Sequence, residues 1–378
     1  MTANLRHAAG SLLVVGLGGT ELTALERAWL KLVRPGGVIL FKRNIADAAQ
    51  TRALLDTATA TCPPHAVRCV DVEGGTVNRL RDALAPIPSV QAVGAAMRQA
   101  NRPTLAREHG TLIARAVKAF GFNTTLAPVV DLGRPEAVEV LGSRTGGATT
   151  EEVIGYTRAF LEGLTAQGIA GCGKHFPGLG GASGDTHFVT PSIARTARSI
   201  WEEDLAPYRA LHAAMPMVMM NHAAYPATPG GATPASASPY WIATVLRKRI
   251  GYRGIILSDD LEMGGILKFM PVEEAAIAAI RAGSDLLEIC HSAELILRSY
   301  EALVSEGERS STFRSLLLKR AREVEHKKKR LYAHGIPRAL TATQLDALRA
   351  QIIAFSERVT RNAADTTAPR ATAPAEAS

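Results

Sequence analysis

Short apolar runs rich in β-branched residues alternate with longer amphipathic stretches along most of the chain, and this rhythm restricts the fold more than any other feature. The runs are 11–16 (SLLVVG), 37–41 (GVILF), 66–71 (AVRCVD), 123–127 (NTTLA), 169–174 (IAGCGK), 216–221 (PMVMMN), 254–259 (GIILSD) and 284–289 (SDLLEI). Each has the length and composition of a buried strand. Helical segments are predicted between them at 20–33, 47–60, 104–120, 149–167, 200–214, 239–250 and 273–282, with an eighth at 292–304. Buried strands joined by helices pair in parallel. Eight such units predict an α/β fold, a (β/α)8 TIM barrel. The rival arrangement of the same units is a doubly wound open sheet. A chain of 378 residues, 47% of them hydrophobic, has room for a barrel of about 250 residues and a C-terminal extension. The expected division is a barrel over 1–308, a helical extension over 309–361 and a tail over 362–378. The tail is rich in Ala, Thr and Pro without apolar periodicity, so disorder is expected there.

Several classes are excluded early. No stretch approaches the roughly 20 consecutive apolar residues of a membrane span. The apolar run near the start, Leu12 to Val15, is too short and too glycine-bounded for a signal peptide. Four scattered cysteines, Cys62, Cys69, Cys172 and Cys290, form no C-x-x-C. They read as reduced thiols of a cytoplasmic protein. The net charge of +8 is partly concentrated in Lys319 to Arg330 (KRAREVEHKKKR). Glu323 and Glu325 interleave there, which reads as a solvated helix face and not as a nucleic-acid arm. GLGGTE at 16–21 follows a strand but lacks G-x-G-x-x-G, and the next strand ends in Phe41 instead of an acid, so dinucleotide binding is rejected. No cofactor and no metal are expected, nor any nucleic-acid or membrane partner, and the chain is read as a monomer.

In a barrel, chemistry sits at the C-terminal ends of the strands. Here those ends collect the polar and titratable residues. The third run ends at Asp71, with Arg79 a few residues on. The fifth ends at Lys174 and His175, the sixth at Asn221 and His222, the seventh at Asp259 and Asp260. The eighth reaches Glu288 with His291 behind it, and the fourth leads through a longer loop to Arg144. Segment 171–191 (GCGKHFPGLGGASGDTHFVTP) has six glycines from 171 to 184, which predicts a flexible lid. It carries Asp185 and His187. Two apart, they either orient an imidazole for proton transfer or belong to an Asx-type turn. A metal site of His175, Asp185 and His187 matches no zinc spacing. In GIILSDDLEM (254–263) a buried strand delivers two aspartates to its end. Alternation points one of them at the mouth. Asp259 is assigned the chemistry, and Asp260 the N-cap of a following helix. Arg79, Arg144 and Lys174 are either surface charges or ligand contacts.

Several ordered motifs then resemble glycoside hydrolase family 3. They are FKRNI (41–45), VDVEGGTVNRL (70–80), NTTLAPVVDLGR (123–134), GSRT (142–145), KHFPG (174–178), Asp185-Thr186-His187, HAAYPA (222–227) and GYRGIILSDDLEM (251–263). The likeness spans roughly 12–300 and is greatest to the family's bacterial β-N-acetylglucosaminidase branch, cytoplasmic enzymes of peptidoglycan recycling. It implies that Asp259 is the nucleophile and His187 the general acid/base held by Asp185. It also implies that Asp71, Arg79, Arg144, Lys174 and His175 bind the sugar. The implied reaction removes terminal β-linked N-acetylglucosamine from muropeptide fragments with retention, through a glycosyl-Asp intermediate. Most retaining glycosidases use two carboxylates. An imidazole titrating near neutrality can fill the second role. The chain departs from the usual pattern at Val72 (commonly Gln), Ser143 (commonly Asp) and Leu179 (commonly His), which bears on substrate preference. The alternatives are a phosphorylase, a β-glucosidase-like enzyme of the same family and a catalytically silent sugar-binding protein.

Overall fold

The computed structural model describes residues 2–181 and 191–364. Eight parallel strands close into a barrel: β1 (Leu13–Val15), β2 (Gly37–Leu40), β3 (Val67–Val70), β4 (Thr124–Thr125), β5 (Ala170–Phe176), β6 (Met217–Met220), β7 (Ile255–Asp260) and β8 (Leu286–Ile289). Each strand pairs with its sequence neighbours, and β1 closes the ring on β8 through Leu13–Leu287, Val14–Glu288 and Val15–Ile289. The open-sheet alternative is therefore excluded. Each predicted strand is present, within two or three residues at its ends.

Burial on both faces explains why the runs are continuously apolar and do not alternate. Val14, Val38, Val70, Met217, Ile256 and Leu286 are all fully buried. Thr23 and Glu26 form a capping box that starts α2 (Ala24–Val33) after α1 (Thr2–Ser11), and Asp47 caps α3 (Ala48–Thr59). Next come α4 (Val90–Gln99), α5 (Thr104–Ala119) and α6 (Thr150–Ala166), the last opened by a Thr149/Glu152 box. The predicted helix at 239–250 is present with π-type turns over Tyr240–Arg249, and a second π-type turn covers Ile200–Asp204. α7 (Val272–Ala282) and α8 (Ala293–Arg309) complete the ring.

Two long helices follow. α9 (Ser311–Leu331) packs on α1 and α8, and α10 (Ala342–Ala364) packs on α4 and α5. The basic run lies on α9. Its cations are not all solvated: Arg320 and Lys327 pair with buried Asp285, and Lys328 is buried with Nζ donating to the Gly36 carbonyl. The solvated-face expectation thus holds for only part of the run. The tail was expected from 362, but α10 runs on to Ala364, and 365–378 lie outside the described residues. No helix among the described residues is long and apolar enough to cross a membrane.

Candidate active site

A cavity of about 500 Å³ opens at the C-terminal ends of the strands. Six of the eight residues singled out in the sequence line it: Asp71, Arg79, Arg144, Lys174, His175 and Asp259. The other two, Asp185 and His187, lie outside the described residues, as does 182–190 of the predicted lid. Asn221 and His222 end β6 but do not line the cavity. Asn221 Nδ2 donates to the His175 carbonyl (3.1 Å), and His222 Nε2 donates to the Asp260 carbonyl (2.9 Å). Both hold the backbone behind the mouth.

The strand ends join in a charged web. Lys174, near the end of β5, is almost fully buried, with Nζ 2.8 Å from Asp71 Oδ1 and 2.6 Å from Glu73 Oε1. Arg144 clamps the other edge of Glu73 with two 2.9 Å bonds from Nε and Nη2. Such a bidentate fork fixes the guanidinium in plane. Burial alone would raise Glu73, but Arg144 and Lys174 outweigh it and hold the carboxyl well below the usual carboxylate range. Burial likewise opposes the Lys174 charge, yet Asp71 and Glu73 lift its pKa above that of an ordinary lysine. Lys174 is buried, Arg144 is partly buried, and both are already paired, so the surface-charge reading of the two is set aside.

His175 is fixed from both sides. Arg144 Nη2 lies 3.2 Å from His175 Nε2 and can only donate, so Nε2 accepts. Nδ1 then carries the hydrogen and donates to Asp131 Oδ2 at 2.7 Å. Asp131 also accepts from the His175 and Leu179 amides at 3.2 and 2.7 Å, tying the start of the following loop to the mouth of β4. Arg79 is held more loosely: its amide donates to the Asp71 carbonyl, and Nη2 stands 3.9 Å from Asp71 Oδ2.

Asp259 and Asp260 both border the cavity, against the expectation that one alone would. Asp259 is half-buried, and its Oδ1 accepts from the Asp260 amide at 3.0 Å. Asp260 is not a helix cap. It is the last residue of β7, and Oδ1 accepts from the Glu262 amide in an Asx-type turn, while the next helical turn begins only at Gly264. Burial pushes Asp260 up to about 7.

Glu73 and Asp131 escaped the sequence reading. Glu73 stands two residues beyond Asp71, so extended-chain alternation puts both on one side. That was the available signal. Asp131 carries none by itself, because its role depends on His175 arriving from another strand. The lid reading of the glycines also needs correction. Gly171 and Gly173 lie inside β5, where a Cβ would press on Leu164 and on Met215. They serve close packing, not flexibility.

A charge-lined cavity at the C-terminal mouth of an eight-stranded parallel barrel is the layout of a barrel enzyme. The model of the "Glycosyl hydrolase family 3 N terminal domain" matches residues 4–321. The chain belongs to glycosyl hydrolase family 3, and as a member it is a glycoside hydrolase. A β-hexosaminidase of Xanthomonas oryzae pv. oryzae is 38% identical over 304 residues, covering 80% of this chain and 89% of its own length. One of Stenotrophomonas maltophilia is 36% identical over 309 residues, covering 81% and 91%. The fold is similar to a family 3 β-N-acetylglucosaminidase from a Paenibacillus species (TM-score 0.82, 29% identity, 94% of this chain and 68% of that one). It is also similar to NagZ from Neisseria gonorrhoeae (TM-score 0.75, 27% identity, 91% and 97%).

Proposed function

We propose that the chain is a retaining exo-β-N-acetylhexosaminidase that removes terminal β-linked N-acetylglucosamine. The observation that carries this reading is that Asp259 opens onto the same cavity as the Asp71–Lys174–Glu73–Arg144–His175 web. Paired, preorganised charges of that kind suit the vicinal hydroxyls of one sugar ring. The related β-hexosaminidases support the sugar, and so does a neighbouring structure, NagZ bound to N-trifluoroacetyl-D-glucosamine.

The terminal sugar would bind through Asp71, Arg79, Arg144, Lys174 and His175. The Asp259 carboxylate attacks the anomeric carbon, the glycosidic C–O bond breaks, and the leaving oxygen takes a proton from His187. Water then gives a proton to His187 and attacks the same carbon, releasing Asp259 and a β-configured product. Asp185 would hold the imidazole. The 2-acetamido group is bound and does not act as nucleophile.

Muropeptide fragments are the proposed natural substrate. Lys42 and Arg43 also border the cavity, and their positive charge suits the carboxylates of such a leaving group. Four unpaired thiols agree with a cytoplasmic setting. In this reading the barrel of 1–308 carries the reaction, 309–361 brace it, and the enzyme acts as a monomer.

The test is turnover of an aryl N-acetyl-β-D-glucosaminide beside the aryl β-D-glucoside, with and without phosphate. Hydrolysis of the acetamido sugar alone, insensitive to phosphate, is expected. N-acetylglucosamine 1-phosphate as product would make the enzyme a phosphorylase, and preference for the glucoside would move it to the glucosidase type.

A further inference from the structure

Glu288 has no place in the mechanism above, yet it lines the same cavity as Asp71, Lys174 and Asp259. Its backbone is fixed. It sits between Val14 of β1 and Asp260 of β7, its amide donates to Ser258 Oγ (3.1 Å), and its carbonyl accepts from the Leu261 amide (2.9 Å). The side chain is 2% exposed, and Oε1 has no hydrogen-bond partner among the described residues. Burying a carboxyl oxygen without a partner is costly. A ligand entering the cavity can supply that partner.

The surroundings determine which form of the carboxyl is present. Burial comes first, and the carboxylates of Asp71, Asp259 and Asp260 add to it. Lys174 opposes them but is already committed to Asp71 and Glu73. The other titratable neighbours, Cys69, Cys172 and Cys290, are buried thiols pushed well up by desolvation, so they add no charge. Glu288 is thereby raised well above the carboxylate range, so its surroundings favour the neutral acid. A neutral acid offers one O–H donor and one carbonyl acceptor. A sugar hydroxyl matches both.

We propose that Glu288 is a specificity-determining residue of the sugar subsite, binding one ring hydroxyl of the terminal N-acetylglucosamine through its donor and its unpartnered Oε1. The proposal rests on the reading of this cavity as the sugar subsite. A neutral group there adds a contact beside Asp259 without adding a negative charge that would oppose the nucleophile.

The test is calorimetric binding of N-acetylglucosamine and its 3-, 4- and 6-deoxy derivatives to the wild type, Glu288→Gln and Glu288→Leu, with melting curves to verify folding. In the wild type, one deoxy sugar should bind about tenfold more weakly than the parent, the value of one hydrogen bond. Glu288→Leu should bind the parent equally weakly and no longer distinguish that derivative. Glu288→Gln keeps a donor and an acceptor and should stay within about threefold of the wild type. Parent binding by the wild type should fade at alkaline pH as Glu288 ionises, and Glu288→Gln should lack that fade. Unchanged discrimination in Glu288→Leu overturns the proposal. If that variant does not fold, an identical alkaline fade in the wild type and Glu288→Gln overturns it. Wild-type protein that binds none of the sugars overturns it too. Discrimination by a protein that hydrolyses no aryl glycoside would sink the hydrolase reading and leave the Glu288 contact standing.

Discussion

Adjacent aspartates at the end of β7 differ in their surroundings, and substitution should separate them. Both are partly buried and border the cavity, and burial raises Asp260 to about 7. Asp259→Asn should lose turnover of an aryl glucosaminide by about three orders of magnitude or more while keeping its fold. Asp260→Asn should stay within about tenfold of the wild type, because its neutral form is already accessible near neutrality. Steady-state kinetics of the two variants decide between them, and the reverse order would exchange the roles. Asp260 also carries a pH signature. Its folded pKa is raised from 3.8 to about 7, so the folded chain holds that proton more firmly. The stability it brings is complete below the unfolded value and is lost as pH rises through the folded one. Relative to the wild type, Asp260→Asn should therefore gain stability as pH rises from 3.8 to about 7, the span of that shift, and keep the gain above it, as read by denaturant midpoints. Asp71, Lys174, His175 and Asp259 were legible in the sequence because each ends a recognisable apolar run. Glu73 and Asp131 were not, since their work is pairing with residues from other strands, which periodicity does not encode. Asp260 was misread because Asp suits helix caps and Asx turns alike, and only the chain path distinguishes them.

The strands were legible as elements because buried parallel strands are nearly pure apolar runs. Three other elements were missed for definable reasons. The hairpin of Val72–Gly74 and Val77–Asn78 is too short to show alternation. α1 precedes the barrel, and α4 interrupts a segment that reads as a long loop. Glycines inside β5 looked like loop residues, because sequence alone does not separate tight packing from flexibility. α10 was expected as a helix, but its load was hidden. Leu348, Ile352, Phe355 and Val359 are at most 1% exposed and form one stripe against α4 and α5. Phe355 stacks on His109 at 5.9 Å, with the Arg358 guanidinium 5.5 Å from its ring. Phe355→Ala should cost about 3–5 kcal/mol in urea unfolding. Turnover per folded molecule should change little, because none of the four residues lines the cavity. Loss below 1 kcal/mol would mean that α10 is only loosely attached.

At the scale of the whole molecule, the excess positive charge is partly internal. Lys328 is buried, and desolvation lowers it to about 8 from an ordinary 10.5. The unfolded chain therefore binds more protons between those values, and stability rises as pH climbs through them. Lys328→Met removes this dependence. It leaves no orphan, because the Gly36 carbonyl also accepts from the Val67 amide. The variant should be more stable than the wild type at pH 7 by about 2 kcal/mol, the pKa shift less one hydrogen bond. The advantage should shrink above pH 10, and a variant less stable at both pH values would contradict this account. The same architecture brings six residues from four separate segments into one cavity, and on that convergence the proposed reaction depends. The most direct measurement is rapid quenching of the enzyme during turnover of an aryl N-acetyl-β-D-glucosaminide, followed by peptide mass analysis. The account predicts one N-acetylhexosamine residue attached to the peptide at Asp259, and none in Asp259→Asn. An active wild type with no adduct under burst conditions, or an adduct elsewhere, would contradict it.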